Sequence, residues 1–210
     1  IIFDMDGTLL DTMPVWKGLS GAYLRRYGVE VTPAVELDLL PLSLEQSARY
    51  FHERLGVARS EEEMLAEISA LAEERYARTA KPKDGVPEYL AQCAAAGHKM
   101  CVATVTSRDM AMRALARFDL TRFFADVFTC DTVGFLKSNP LFFRNVAVGL
   151  GLRPDETAVF EDSFYCMRSA AAAGLTVIGV FDQEAAGDEA EARRCCHHYI
   201  YSFTELVESA

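Results

Sequence analysis

The sequence predicts an α/β fold: a doubly wound, mainly parallel sheet, with a small all-α domain inserted after the first strand. Two observations predict it. From Gly85 onward, short runs of strand-favouring residues alternate with helical-period segments, the pattern of a parallel sheet built from strand-helix-strand units. Ahead of them, one such run, Ile1-Ile2-Phe3, stands alone before a stretch from Pro14 to about Ala80 that is helical throughout and lacks β-branched runs. The first strand therefore belongs with the later ones. The expected division is an α/β core of residues 1–13 and 81–210, interrupted by a helical unit of residues 14–80.

Ile1-Ile2-Phe3 runs straight into Asp4-Met5-Asp6-Gly7, two carboxylates one residue apart and a glycine that permits a sharp turn. Ligands of open α/β sheets bind just beyond the carboxyl ends of the strands, which makes this pair a candidate site. On this stretch alone a solvated turn with Asp and Gly as turn formers serves equally well. Beyond it, Val15, Leu19, Ala22, Tyr23 and Tyr27 recur at helical spacing and predict one helix stopped by Gly28. A second helix is expected from Ser43 to Leu55, stopped by Gly56. Ser60 with Glu63 forms a capping-box signature, followed by Met64, Leu65, Ile68, Leu71 and Ala72 on one face. Inserted directly after the acidic turn, this unit is expected to act as a cap or lid, with Asp11–Pro14 and Ala80–Lys83 as hinges.

In the core, a helix is expected over Gly85–Ala96, ended by Gly97. His98–Thr104 reads as a buried strand leading into Thr106, Ser107 and Arg108. A helix over Met110–Phe118 and a short strand near Val127-Phe128-Thr129 follow. Asn139-Pro140 supplies a cap and a first-turn proline for a helix ending near Gly149 or Gly151. Thr157–Phe160 is a strand, Ser163–Ala173 a helix, Thr176–Val180 a strand, and His198–Tyr201 the last strand. The acidic run from Glu184 to Glu191 reads as a solvated loop or helix face.

Half of the 210 residues are apolar and a quarter charged, an ordinary globular composition. The formal net charge of -10 argues against nucleic acid and against anionic membranes as partners, since both attract a basic face. A small anionic substrate remains compatible, because a local cation can override the global sign. The six cysteines show no zinc-site or disulfide-framework spacing, which fits free thiols in a cytoplasmic protein. In Cys195-Cys196-His197-His198, adjacent side chains on a strand point to opposite faces and do not close one tetrahedral site. No apolar run approaches the ~20 residues of a membrane helix, and no signal-peptide pattern is present. The chain opens directly on a strand, so a few residues are expected to precede it, and a monomer is the expected assembly.

Four strand ends each deliver a polar group to one rim of the sheet: Asp4 and Asp6, Thr104, Lys137, and Glu161 with Asp162. In order and spacing, D-M-D-G-T-L-L-D-T at Asp4 to Thr12, V-A-T at Val102 to Thr104, Lys137 before Ser138-Asn139-Pro140, and F-E-D-S at Phe160 to Ser163 resemble the haloacid dehalogenase-like hydrolase superfamily. More narrowly, they resemble its phosphatase and β-phosphoglucomutase-like branch with a helical cap. The resemblance implies a phosphoric monoester hydrolase in which Asp4 attacks phosphorus and forms an aspartyl-phosphate. Asp6 would act as general acid and base. Thr104 and Lys137 would hold the phosphate, and Mg²⁺ would be bound by Asp4, Glu161, Asp162 and the backbone carbonyl of Asp6. Carboxylates suit that ion, which prefers hard oxygen ligands. The implied substrate is a small phosphorylated metabolite.

Asp6 separates the chain from the dehalogenases and phosphonate-cleaving relatives that the resemblance brings with it, since these lack a second acid at that position. A sugar phosphomutase keeps all four motifs. Its cap usually carries a histidine soon after the first motif and a Gly-x-Ser-Arg loop, and Met13–Lys17 and Leu39–Ser43 show neither, so phosphatase is favoured. A phospho-acceptor signalling module is the rival from another class, but such modules lack an inserted lid and a second acid. A calcium loop does not fit, because Gly7 comes too early for the loop's turn glycine. Two departures from the family pattern stand out: Lys137-Ser138-Asn139-Pro140-Leu141 in place of Lys-Pro-x-Pro-Asp, and Cys166 in place of a glycine. Trp16, Lys17, Ser43 and Arg49 are the lid residues that could touch substrate.

Overall fold

A computed structural model of the protein describes residues 1–39 and 44–207. In chain order, strand β1 (Ile2–Phe3) is followed by α1 (Met13–Trp16), α2 (Leu19–Arg26), α3 (Pro33–Leu39), α4 (Leu44–Glu53) and α5 (Glu61–Thr79). Then come α6 (Val86–Ala95), β2 (Cys101–Thr104), α7 (Arg108–Arg117), β3 (Val127–Thr129), α8 (Cys130–Val133) and α9 (Pro140–Gly149). Strand β4 (Ala158–Glu161), α10 (Phe164–Ala172), β5 (Thr176–Val180), α11 (Glu189–Cys195) and β6 (His198–Ile200) complete it. The chain divides into two compact units, Pro14–Ala80 and Ile1–Met13 with Lys81–Ala210.

The larger unit is a six-stranded sheet in the order β3-β2-β1-β4-β5-β6, and all of its pairings are parallel. Strand β1 lies between β2 and β4, with Ile2 opposite both Cys101 and Val159. Its two residues serve opposite faces of the sheet. Ile2 joins the buried cluster of Cys101, Ala103, Phe142, Val146, Val159 and Met167. Phe3 stacks on Phe160 at 4.9 Å between ring centroids and meets the edges of Tyr89 and Phe124. Burial on both faces accounts for the unbroken apolar run, and losing either side chain would cost a few kcal/mol, ~3 for Phe3.

Several expected boundaries move. Strand β2 starts at Cys101, not His98. The helix expected from Met110 begins at Arg108, directly after Ser107. The last strand stops at Ile200, one residue short of Tyr201. The acidic run is divided between a short turn, Ala186–Asp188, and the start of α11. Strand β3 and strand β5 lie over Val127–Thr129 and Thr176–Val180, as read from the sequence.

In the smaller unit, the single helix expected up to Gly28 is two, α1 and α2. Gly18 separates them in the left-handed region at φ 66°, a conformation that ends one helix and starts the next. Arg75 bridges the break by donating to the carbonyls of Val15 (3.1 Å) and Lys17 (3.4 Å). Helix α5 carries both arms of the capping box between Ser60 and Glu63. Tyr23 is fully buried, stacks on Phe51, and donates with Tyr27 to one carboxylate oxygen of Glu67. Trp16 meets Tyr76 edge-on, and Arg49 pairs at the surface with Glu61. Ser43, expected to open α4, lies outside the described residues. No described helix is long and apolar enough to cross a membrane.

Candidate active site

The carboxyl ends of β1 and β4 are adjacent, and the amide of Asp4 donates to the Phe160 carbonyl at 2.9 Å, so one ladder leads into both acidic segments. Glu161 closes β4 and Asp162 follows it. Lys137 lies in the turn between α8 and α9. That turn is closed by the Asn139 amide donating to the Leu136 carbonyl (2.9 Å), and the Asn139 side chain caps α9 through the Leu141 amide (3.0 Å). The departure from Lys-Pro-x-Pro-Asp is thus absorbed by a capping asparagine. Cys166, the other departure, packs partly buried against the core cluster, and burial pushes its thiol pKa up.

The Lys137 ammonium donates to Asp4 Oδ1 and to Glu161 Oε2, both at 2.6 Å, and all three groups are almost fully buried. Asp162 is 8 % exposed and accepts from the Thr8 hydroxyl at 3.2 Å. Oxygens of Asp4, Glu161 and Asp162 lie within 4.8 Å of one another, a spacing that one cation can bridge. One ammonium faces three carboxylates, so negative charge is in excess. Burial, then Glu161, raises the Asp4 pKa, with Lys137 opposing. Burial, then Asp4 and Glu161, raises that of Asp162. Burial alone would lower the Lys137 pKa, but Asp4 and Glu161 overcome it and hold the ammonium well charged.

Asp4 Oδ2 is buried without a hydrogen-bond partner, an expensive condition for a carboxylate oxygen. An orphaned oxygen within a buried, over-negative carboxylate trio is what a hard divalent cation satisfies, so these residues fit Mg²⁺. Gly7 makes room for the arrangement. It sits at φ 86°, and a Cβ there would fall 2.4 Å from Asp162 Oδ2.

Asp6 belongs to a different network. Its side chain is not one of the trio; Oδ1 accepts from the Thr12 hydroxyl (2.7 Å) and Oδ2 from the Thr106 hydroxyl (2.6 Å). Thr104, fully buried at the end of β2, is joined to this network because its hydroxyl oxygen accepts from the Thr106 amide at 3.0 Å. The structure therefore gathers Asp4, Lys137, Glu161 and Asp162 into one cluster and Asp6 with Thr104, at the end of β2, into a second network. Sequence reasoning passed over Thr8, Thr12 and Thr106 as site residues. The available signal was a hydroxyl residue within two positions of an acidic or strand-end residue.

The profile of the haloacid dehalogenase-like hydrolase family matches residues 1–180. Hexitol phosphatase B of Escherichia coli is 30% identical over 193 residues, covering 89% of this chain and 85% of the relative. A phosphorylated carbohydrates phosphatase of Thermotoga maritima is 27% identical over 175 residues, covering 83% of this chain and 81% of the relative. The crystal structure of CbbY from Rhodobacter sphaeroides in complex with phosphate superposes with a TM-score of 0.73 at 25% identity, covering 98% of this chain and 94% of that one. A profile match across most of the chain, a relative at this identity over nearly all of it and the parallel sheet make one assignment: the chain belongs to the haloacid dehalogenase-like hydrolase family.

Proposed function

We propose that this chain is a Mg²⁺-dependent phosphatase that hydrolyses a small phosphorylated metabolite through an aspartyl-phosphate on Asp4, with Asp6 as general acid and base. The observation that carries the reading is the buried trio of Asp4, Glu161 and Asp162, with Lys137 shared between two of its members and one Asp4 oxygen left unpartnered. Bound there, Mg²⁺ would supply the positive charge that lets an anionic nucleophile approach a phosphate.

An ammonium has three donors, and Lys137 directs two of them at Asp4 and Glu161, so the third serves a phosphoryl oxygen. The Thr104 hydroxyl keeps its own proton for a second one, since its oxygen only accepts from Thr106. Asp4 attacks phosphorus, an Asp4 oxygen-phosphorus bond forms, and the bond to the leaving oxygen breaks. Asp6 gives that oxygen its proton. Water then attacks the phosphorus of the aspartyl-phosphate, Asp6 takes a proton from it, and inorganic phosphate leaves as Asp4 returns to a carboxylate. The names of the two phosphatase relatives support a phosphorylated carbohydrate as the substrate class.

Release of p-nitrophenol from p-nitrophenyl phosphate tests the reading. Continuous turnover with Mg²⁺, abolished by EDTA and restored by added Mg²⁺, is expected. A phosphorylated protein that persists for minutes without turnover would favour the signalling-module reading and sink this one.

A further inference from the structure

The Asp6 turn is not self-supporting. Met5 to Leu10 closes through the Leu10 amide on the Met5 carbonyl (2.8 Å) and the Gly7 amide on the Leu10 carbonyl (2.9 Å). The next residues are strapped to the chain where it re-enters the core. The Asp11 amide donates to the Lys81 carbonyl, the Lys83 amide donates to the Leu9 carbonyl, both at 2.9 Å, and Leu10 pairs antiparallel with Pro82. Thr12, which donates to Asp6, directly follows the strapped segment.

The strap is in turn fixed to the sheet at one point by a charged pair. Lys83 Nζ lies 2.9 Å from Asp182 Oδ2 and donates to the Phe181 carbonyl at 2.7 Å, just past the end of β5. The side chains are 16% and 5% exposed, and the other Asp182 oxygen accepts from the Glu184 amide at 2.9 Å. A buried pair of this kind is poor value for stability compared with an apolar contact, but it fixes position, because both partners lose heavily when they separate.

We propose that the Lys83–Asp182 pair is a positioning device for Asp6: it anchors the Lys81–Lys83 strap, the strap sets Leu9–Asp11, and that segment aims the Asp6 carboxyl through Thr12. The inference rests on Asp6 being the general acid of the proposed reaction. It assigns no contact with substrate to Lys83 or Asp182, only control of where the proton donor points.

An acid that protonates the leaving oxygen matters most for a poor leaving group. The test therefore compares kcat/KM, which covers phosphoryl transfer to Asp4 and departure of the leaving group, for phenyl phosphate and p-nitrophenyl phosphate. Phenol, with a pKa of about 10 like that of tyrosine, needs the proton far more than p-nitrophenol does. In Lys83→Met, kcat/KM for phenyl phosphate is expected to fall about tenfold, with less than about twofold loss on p-nitrophenyl phosphate. Asp182→Asn, which keeps volume and the Lys83 contact to Phe181, is expected to fall about threefold with the same selectivity, and it decides the matter if Lys83→Met does not fold by circular dichroism. Equal losses on both esters, or none on either, would overturn the proposal. Asp6→Asn separates the two layers. If it shows the selective loss and the strap variants do not, the positioning role falls and the acid role stands; if Asp6→Asn shows no selectivity, both fall.

Discussion

Asp4 and Asp6 leave the same strand two residues apart, and the protein surrounds them with different chemistry. Asp4 is buried among charges: an ammonium at 2.6 Å, two further carboxylates, and one oxygen with no partner. Asp6 is held by two neutral hydroxyls, one on each oxygen. In the reaction proposed above, this difference divides labour within a turn only a few residues long. A nucleophile needs its charge offset while its attacking oxygen stays uncommitted, whereas a proton carrier needs partners that tolerate both of its forms. A hydroxyl can donate to a carboxylate or accept from a carboxylic acid, so the Asp6 network survives the proton's arrival and departure.

The sharpest way to break the comparison is Asp4→Asn. Turnover of p-nitrophenyl phosphate should fall by about 10⁴-fold or more, as for loss of a covalent nucleophile. The melting temperature should hold or rise, since a neutral amide relieves the excess negative charge beside Glu161 and Asp162. A variant with wild-type turnover would remove Asp4 from the chemistry.

Thr106→Val probes the other half. It removes a hydroxyl donor to Asp6 and nearly conserves volume, and it should lower kcat/KM for phenyl phosphate about tenfold. Mg²⁺ affinity, measured by calorimetry, should be unchanged because Asp6's side chain lies outside the trio. A large loss of metal affinity would show that the two networks are one.

The smallest effect expected is on stability. The folded-state pKa values of Asp4 and Asp162 lie above those of an unfolded chain, mainly through burial. As pH rises past the ordinary aspartate value of about 4, the unfolded chain releases these protons first. The stabilisation present below that value is lost as pH climbs through the raised folded-state values. Scanning calorimetry of the metal-free protein should therefore show a melting temperature about 3 °C lower at pH 8 than at pH 5, a gap that Mg²⁺ closes. A metal-free melting temperature that rises over this range would mean the trio carries no such strain.

Legibility followed sequence distance and residue type. The sheet core could be read because apolar runs such as Ile1–Phe3 and Val177–Phe181 end abruptly in polar residues. Asp4, Asp6, Glu161 and Asp162 stood out as acids directly after such runs. Lys137 was visible only through its order among the family motifs, since a lone lysine before a helix cap carries no signal of burial. Thr12 and Thr106 were hidden by the commonness of threonine near turns. Gly18 was read past because the apolar spacing continues across it, although the backbone does not. The contact between Lys83 and Phe181 spans 98 residues, and no local pattern announces it.

Strand β1 sits in the middle of the sheet, yet its neighbours are made long after it: Ile2 faces Cys101 on one side and Val159 on the other. During synthesis β1 thus emerges before either neighbour and waits, unpaired on one edge, until β4 follows. No nascent chain that stops short of Asp162 contains all three clustered acids, so the cluster can form only once β4 has been made.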